Sequence, residues 1–160
     1  DVVLDSTYKE YVFTFNNIHP EDDDALFTFN LSIDSGSNYN VTKTSSAFRA
    51  FQGESGIVPT LEYLPSGDLA QSTSFQTMMV ELGNANDESV SGYLHLFNPS
   101  STTFVKHFIA KVNHNAYHSI QENTFTAGYG NTTSACDAIQ FKMDTGNIDL
   151  GDICLYGITT

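Results

Sequence analysis

The side chains best equipped for chemistry in this 160-residue chain are five histidines, a large set of carboxylates and two cysteines. His114 and His118 stand four residues apart, with His107 seven residues before His114. On a helix that spacing would offer two imidazoles to one zinc ion; on a strand it places same-face side chains two steps apart. Asn113, Asn115 and Tyr117 do not read as helix, so the expectation is surface or edge-strand histidines and no zinc site. His19 precedes Pro20 in an expected loop, and His95 alternates with Leu94 and Leu96, which turns it toward solvent or a partner subunit.

Two acidic groups have the oxygen chemistry that calcium requires: Asp22-Asp23-Asp24, and the set Asp144, Asn147, Asp149 and Asp152. Neither follows the Asp-x-Asp-x-Asp-Gly order of a calcium loop, so a solvated charge run and a hairpin turn are expected, with calcium dispensable for folding. Gly53-Glu54-Ser55-Gly56 shares composition with a nucleophile elbow, but its second glycine comes one residue early and no strand-to-helix turn follows. No catalytic, cofactor-binding or metal-ligating residue is assigned, and the chain reads as a non-enzyme without a cofactor. The sequons at Asn30, Asn40 and Asn131 are about as many as chance gives in a chain rich in Asn, Ser and Thr.

Charge removes further classes of function. Nineteen acidic against six basic side chains give a formal net charge of −13, and Lys9, Lys43, Arg49, Lys106, Lys111 and Lys142 are scattered. Phosphate backbones and anionic lipid surfaces would be repelled, so neither nucleic acid nor a membrane is expected as a partner. No run of 18 or more apolar residues is present to span a bilayer as a helix.

The elements that must position these groups are strands. Tyr11, Phe13 and Phe15 alternate with Val12 and Thr14, and Phe27, Phe29, Leu31 and Ile33 alternate with Thr28, Asn30 and Ser32. That is the period of strands with one buried face. Asn17 to Pro20 and the charges Glu21 to Asp24 read as a loop, and Asp34-Ser35-Gly36-Ser37 reads as the turn of a hairpin to Tyr39–Thr44. Further strands are expected near 48–52, 61–64, 75–82, 93–97, 104–112, 119–127, 139–143 and 153–158. Asn98-Pro99-Ser100-Ser101 is the clearest turn, and the last two strands are joined as a hairpin through Thr145 to Ile148.

That hairpin would put Cys154 opposite Ile139 and leave Cys136 about 10 Å out of register at ~3.4 Å per residue, so two small hydrophobes are favoured over a disulfide. About ten strands without a helical period predict one all-β domain over residues 1–160, a two-sheet antiparallel β-sandwich of jelly-roll-like type. Phe13, Phe15, Phe27, Phe29, Leu31, Phe141 and Leu155 are expected to share one core.

Tyr8 to Phe13, Asn17-Ile18-His19-Pro20, Ser100 to Phe108, Ile139 to Met143 and the closing Leu155-Tyr156-Gly157-Ile158 together resemble small structural proteins of marine tailed bacteriophages. The resemblance implies a non-enzymatic virion protein, a decoration or cement protein on the capsid surface, with a tail fibre or carbohydrate-binding module as the alternative. It implies as partners the major capsid protein or other virion proteins and, for a fibre, a host glycan. A homotrimer is expected, held by neutral contacts because the subunits repel one another, and the trimer would match a local threefold position of the shell. Tyr and amide side chains suit sugars, while the absence of Trp weighs against that reading.

Overall fold

The computed structural model describes residues 2–56, 59–116 and 119–159, with Val2 and Val3 described by their backbone. Twelve strands follow one another: β1 (Val2–Val3), β2 (Glu10–Pro20), β3 (Ala25–Ser32), β4 (Lys43–Gly53), β5 (Thr60–Tyr63), β6 (Leu69–Ser72), β7 (Gln76–Leu82), β8 (Val90–Phe97), β9 (Lys106–Ala116), β10 (Ile120–Gly130), β11 (Ala138–Met143) and β12 (Ile148–Ile158). Among the described residues the only helical element is a single 3₁₀ turn, Pro65–Gly67, where the sequence places its Pro-Ser-Gly turn.

All pairings are antiparallel. The large sheet runs β12-β2-β8-β9-β10-β4, with β5 and β6 sharing the far edge of β4, and the small sheet runs β1-β11-β3-β7. One pair, Leu82 with Ala116, joins them. The chain changes sheet at β2 to β3 to β4, at β6 to β7 to β8, and at β10 to β11 to β12, the jelly-roll-like trait; β8, β9 and β10 instead form a meander.

The β8–β9 hairpin forms across the Asn98–Ser101 turn as the sequence indicates. Two other expected hairpins do not. β4 pairs with β10, β5 and β6 and not with β3, and β12 pairs with β2 and not with β11. The turns at Asp34–Ser37 and Asp144–Asn147 carry the chain across the sandwich, because β3 and β11 bury Phe29 and Phe141 by pairing with each other. Asn17 to Pro20 lies within β2 and not in a loop; a register shift between Phe15 and Ile18 lets the strand continue past Asn17. Gly151 interlocks with that irregularity: it has φ +110°, and a Cβ there would lie 2.5 Å from the Asn17 carbonyl oxygen.

Rings from both sheets make the core. Phe15 of β2 meets Phe27 of β3 edge to face at 5.0 Å, Phe13 meets Phe141 at 5.1 Å, and Phe29 meets Phe108 of β9 at 5.1 Å. Phe13, Phe15, Phe27, Phe29 and Leu31 are buried, with the half-buried Phe141 packed against them, as expected. Leu155 is the exception at 38% exposure. It belongs to an edge strand of the larger sheet that pairs with β2 alone, and the four-stranded sheet does not cover it.

Candidate interaction surface

Cross-strand register fixes what the large sheet shows on its outer face. In one row, Tyr156, Val12, His95, Ile109, Ala127 and Ser46 lie side by side from β12 to β4. The next row reads Cys154, Thr14, Tyr93, Lys111, Phe125, Phe48 and Tyr63. Asn113, Asn123, Ala50 and Leu61 continue it on one side, Phe97 and Tyr129 on the other. Side chains opposite one another in an antiparallel pair share a face and touch, so these rows form one continuous surface.

The surface is apolar, aromatic and nearly uncharged. Phe48 and Ile109 stay 46% and 48% exposed, with Tyr63, Tyr93, Tyr156, Leu61 and Ile158 exposed around them. Phe48 and Phe125 stack with centroids 4.9 Å apart and planes 6° from parallel, and Lys111 Nζ stands 5.2 Å from the Phe125 centroid. Glu10 and Lys111 are the charged residues in these rows from β2 to β5, and Glu10 accepts a hydrogen bond from His95 Nδ1 at 2.7 Å. Shallow depressions lie on the face, one of about 170 Å³ among Phe48, Ile109 and Phe125 and one of about 190 Å³ beside Tyr93 and Asn123. Seven strand positions, the last shared by β5 and β6, at ~4.8 Å spacing and about 30 Å long give a face of roughly 1,000 Å², more than the about 800 Å² per partner of a standard interface.

A second feature lies at one end of the sandwich. A cleft of about 540 Å³ is lined by Asn16, Asn17, His19, Glu88, Leu150 and Asp152 among others. His19 Nδ1 lies 2.7 Å from Asp149 Oδ1 and Nε2 lies 3.1 Å from the Ala85 carbonyl oxygen. Two acceptors ask the ring to donate from both nitrogens. Burial pulls its pKa down, and the Asp149 and Ala85 oxygens outweigh that and hold it above the ordinary value. The two acidic loops meet near this end and are tied by neutral donors: Thr145 Oγ1 to Asp22 at 2.7 Å, Asn147 Nδ2 to Glu21 at 2.7 Å, and the Leu26 N–H to Asp144 at 2.7 Å. Among the described residues no three His, Cys, Asp or Glu side chains come together in a way that could hold a metal ion.

The third feature is inside. Where β4, β9 and β10 back onto β7, the inner layer is polar: Arg49 Nη1 pairs with the buried Glu122 at 3.0 Å, and Thr124 Oγ1 donates to the same carboxylate at 3.0 Å. Burial raises the Glu122 pKa and Arg49 opposes it. His114 is 2% exposed, and neither ring nitrogen has a hydrogen-bond partner. Burial pushes its pKa down to about 4.

His114 is thus a core residue of a central strand and not a surface or edge histidine, because β9 alternates inward from Phe108 through Ala110 and Val112 to it. His107 points to the opposite, outer face, and His118 lies outside the described residues. Asn30, one of the sequons, is fully buried. Cys136 and Cys154 are free thiols, Cys136 buried and Cys154 on the outer face opposite Thr14. The outer face itself was not singled out from the sequence. Its trace there is adjacent apolar residues of both parities, Leu96-Phe97 and Phe108-Ile109, where a half-exposed strand would alternate. No protein family, no curated protein and no solved structure matches the chain.

Proposed function

We propose that the protein is a non-enzymatic assembly protein that works through the outer face of its large sheet. The observation that carries this is the contrast between that face and the rest of the molecule. A chain of net charge −13 keeps formal charge off the face apart from Glu10, Lys111 and, at the β12 edge, Asp152, and fills it with Phe48, Phe125, Ile109, Tyr93 and Tyr63. Contiguous exposed apolar surface rimmed by polar residues marks protein contact sites, and depletion of charge with enrichment in aromatics is the composition of an interface centre.

The virion setting, as a capsid decoration or cement protein, rests on the resemblance of the strand and turn segments. A face nearly free of carboxylates is what such a role requires of a strongly acidic subunit, since like charges drawn together at a shell surface must be kept to the rim. The test is incorporation of Ile109→Glu into particles. Ile109 is half-exposed, so the variant is expected to melt like the parent at low protein concentration while being lost from purified virions. Retention at the parental copy number would refute the reading.

The alternative of a glycan-binding module is favoured by one observation, the depression where Tyr93, Lys111, Asn113 and Asn123 bring a ring beside amide groups. A Tyr93→Ala variant that loses saturable binding on a glycan array while keeping its place in particles would select it.

A further inference from the structure

Beside the aromatic patch runs the row that starts at Asn16 and Ser91 and continues through Asn113, Asn123 and Ala50 to Leu61. We infer that this row is the floor of a groove that binds an extended, uncharged polysaccharide across the strands from β12 to β5. Three depressions lie along it. The cleft of about 540 Å³ takes in Asn16 and Leu150, the depression of about 190 Å³ takes in Ser91, Tyr93 and Asn123, and a third of about 340 Å³ takes in Asn123, Gln121 and Leu61. Asn123 lines two of them, and Ser91 meets the β2 side of the cleft by accepting a hydrogen bond from the Asn17 N–H at 3.0 Å. From β12 to β5 the run crosses six strand spacings, about 29 Å at ~4.8 Å each.

The chemistry of the groove repeats along its length. Each depression sets amides beside one exposed apolar side chain: Leu150 in the first, Tyr93 in the second and Leu61 in the third. A sugar offers an apolar ring face and hydroxyls that both donate and accept. Amide side chains also do both, whereas a carboxylate only accepts and an ammonium only donates, and an apolar wall with a few placed polar groups is how ligand sites fix their occupant. The side chains of Asn16, Gln121 and Asn123 have no hydrogen-bond partner among the described residues, so their amides are open to a ligand. The β2 irregularity adds to the supply: Asn16 and Asn17 are both exposed where a regular strand would turn one of them inward, and Asn17 holds a φ of +50° to do so. Bulges re-aim side chains in this way next to functional sites. Charge sets the class of sugar. Asp87 and Asp152 line the β12 end of a chain with net charge −13, which repels polyuronates and sulfated or phosphorylated chains. The inference rests on the glycan reading of the Tyr93 depression and extends it from one depression to three. It does not rest on the assembly function, since Ile109 lies two rows away.

Titration calorimetry with disaccharides and hexasaccharides of glucose, mannose and galactose tests this, with melting curves confirming the fold of each variant. At least one neutral hexasaccharide should bind saturably and about tenfold or more tighter than its disaccharide, and a hexauronate should not bind. Asn123→Ala, between two depressions, and Leu61→Ala, at the β5 end, should each weaken the hexasaccharide about tenfold, the loss of one or two hydrogen bonds or of an apolar contact. Asn16→Ala at the exposed β12 end should do the same and serves where another variant fails to fold. Ile109→Glu should bind the sugar like the parent, which separates this site from the assembly face. No saturable binding of any neutral hexasaccharide overturns the inference, and so does equal affinity for the hexauronate. Equal affinities for disaccharide and hexasaccharide, with binding lost on Tyr93→Ala but not on Leu61→Ala or Asn16→Ala, would sink the groove and leave the single Tyr93 depression standing.

Discussion

His114 makes the stability of this protein depend on pH in a direction that can be worked out beforehand. Its ring is buried without hydrogen-bond partners and titrates at about 4 when folded, against an ordinary 6.5 when unfolded. Between those values the unfolded chain holds a proton that the folded chain refuses, so stability rises with pH and is lost as pH falls from 6.5 toward 4. At about 1.4 kcal/mol per unit, the whole window is worth about 3 kcal/mol. Glu122, raised by burial, and His19, raised by Asp149 and Ala85, slope the opposite way, each favouring the folded state at the lower pH of its own window. The His114 contribution is therefore read as a difference. Urea unfolding of the parent and of His114→Phe at pH 7 and pH 4.5, which spans most of that window, should show the variant losing about 2 kcal/mol less on acidification. Parallel pH dependence in the two proteins would refute the claim that a neutral imidazole is trapped between the sheets.

Phe27→Ala should cost about 3 to 5 kcal/mol in the same assay, since the ring is fully buried between Phe15 and Phe141. Lys43 is fully buried, donates to Asn30 and Val41, and is pushed by burial down to about 7, so its folded form gains relative to the unfolded one as pH rises from 7 toward 10.5. From pH 7 to 10 the parent should gain up to about 4 kcal/mol on Lys43→Met. A thiol reagent should label Cys154 in the native protein and Cys136 only after unfolding, because Cys136 is buried and burial lifts its thiol to about 11.

What the sequence disclosed and what it hid divide along physical lines. Period-two runs such as Tyr11-Phe13-Phe15 name their strands because one face must be buried, and Asn98-Pro99-Ser100-Ser101 names the β8–β9 hairpin. Asp34-Ser35-Gly36-Ser37 and Asp144-Thr145-Gly146-Asn147 carry the same turn chemistry, yet the chain leaves each for the other sheet. A turn's residues specify its local dihedrals and not the partner of the strand that follows. His114 was legible: counting by twos from Phe108 puts it inside, and the polar neighbours Asn113 and Asn115 obscured that count. Leu155 was not, since its exposure arises from an eight-stranded sheet overhanging a four-stranded one.

The half of the sandwich around β10 is built the wrong way round for a lone domain. Glu122, Thr124 and Thr126 point inward and are buried, Thr126 without a hydrogen-bond partner, while Phe125 and its neighbour Phe48 point outward. Burying polar atoms and exposing rings both oppose folding, so this region draws less from its own core than the Phe13-Phe15-Phe27 region does. Covering the outer face would restore the balance, which couples stability to association. The melting temperature should therefore rise with protein concentration, as it does whenever the folded state alone binds its partner. Ile109→Glu, which places a carboxylate in the middle of the face, should abolish that dependence and leave the low-concentration melting temperature unchanged. A parental melting temperature independent of concentration, through the range where light scattering shows dissociation, would mean that the exposed rings of β4 and β10 contribute nothing when covered, and the argument from the inverted strand would fall.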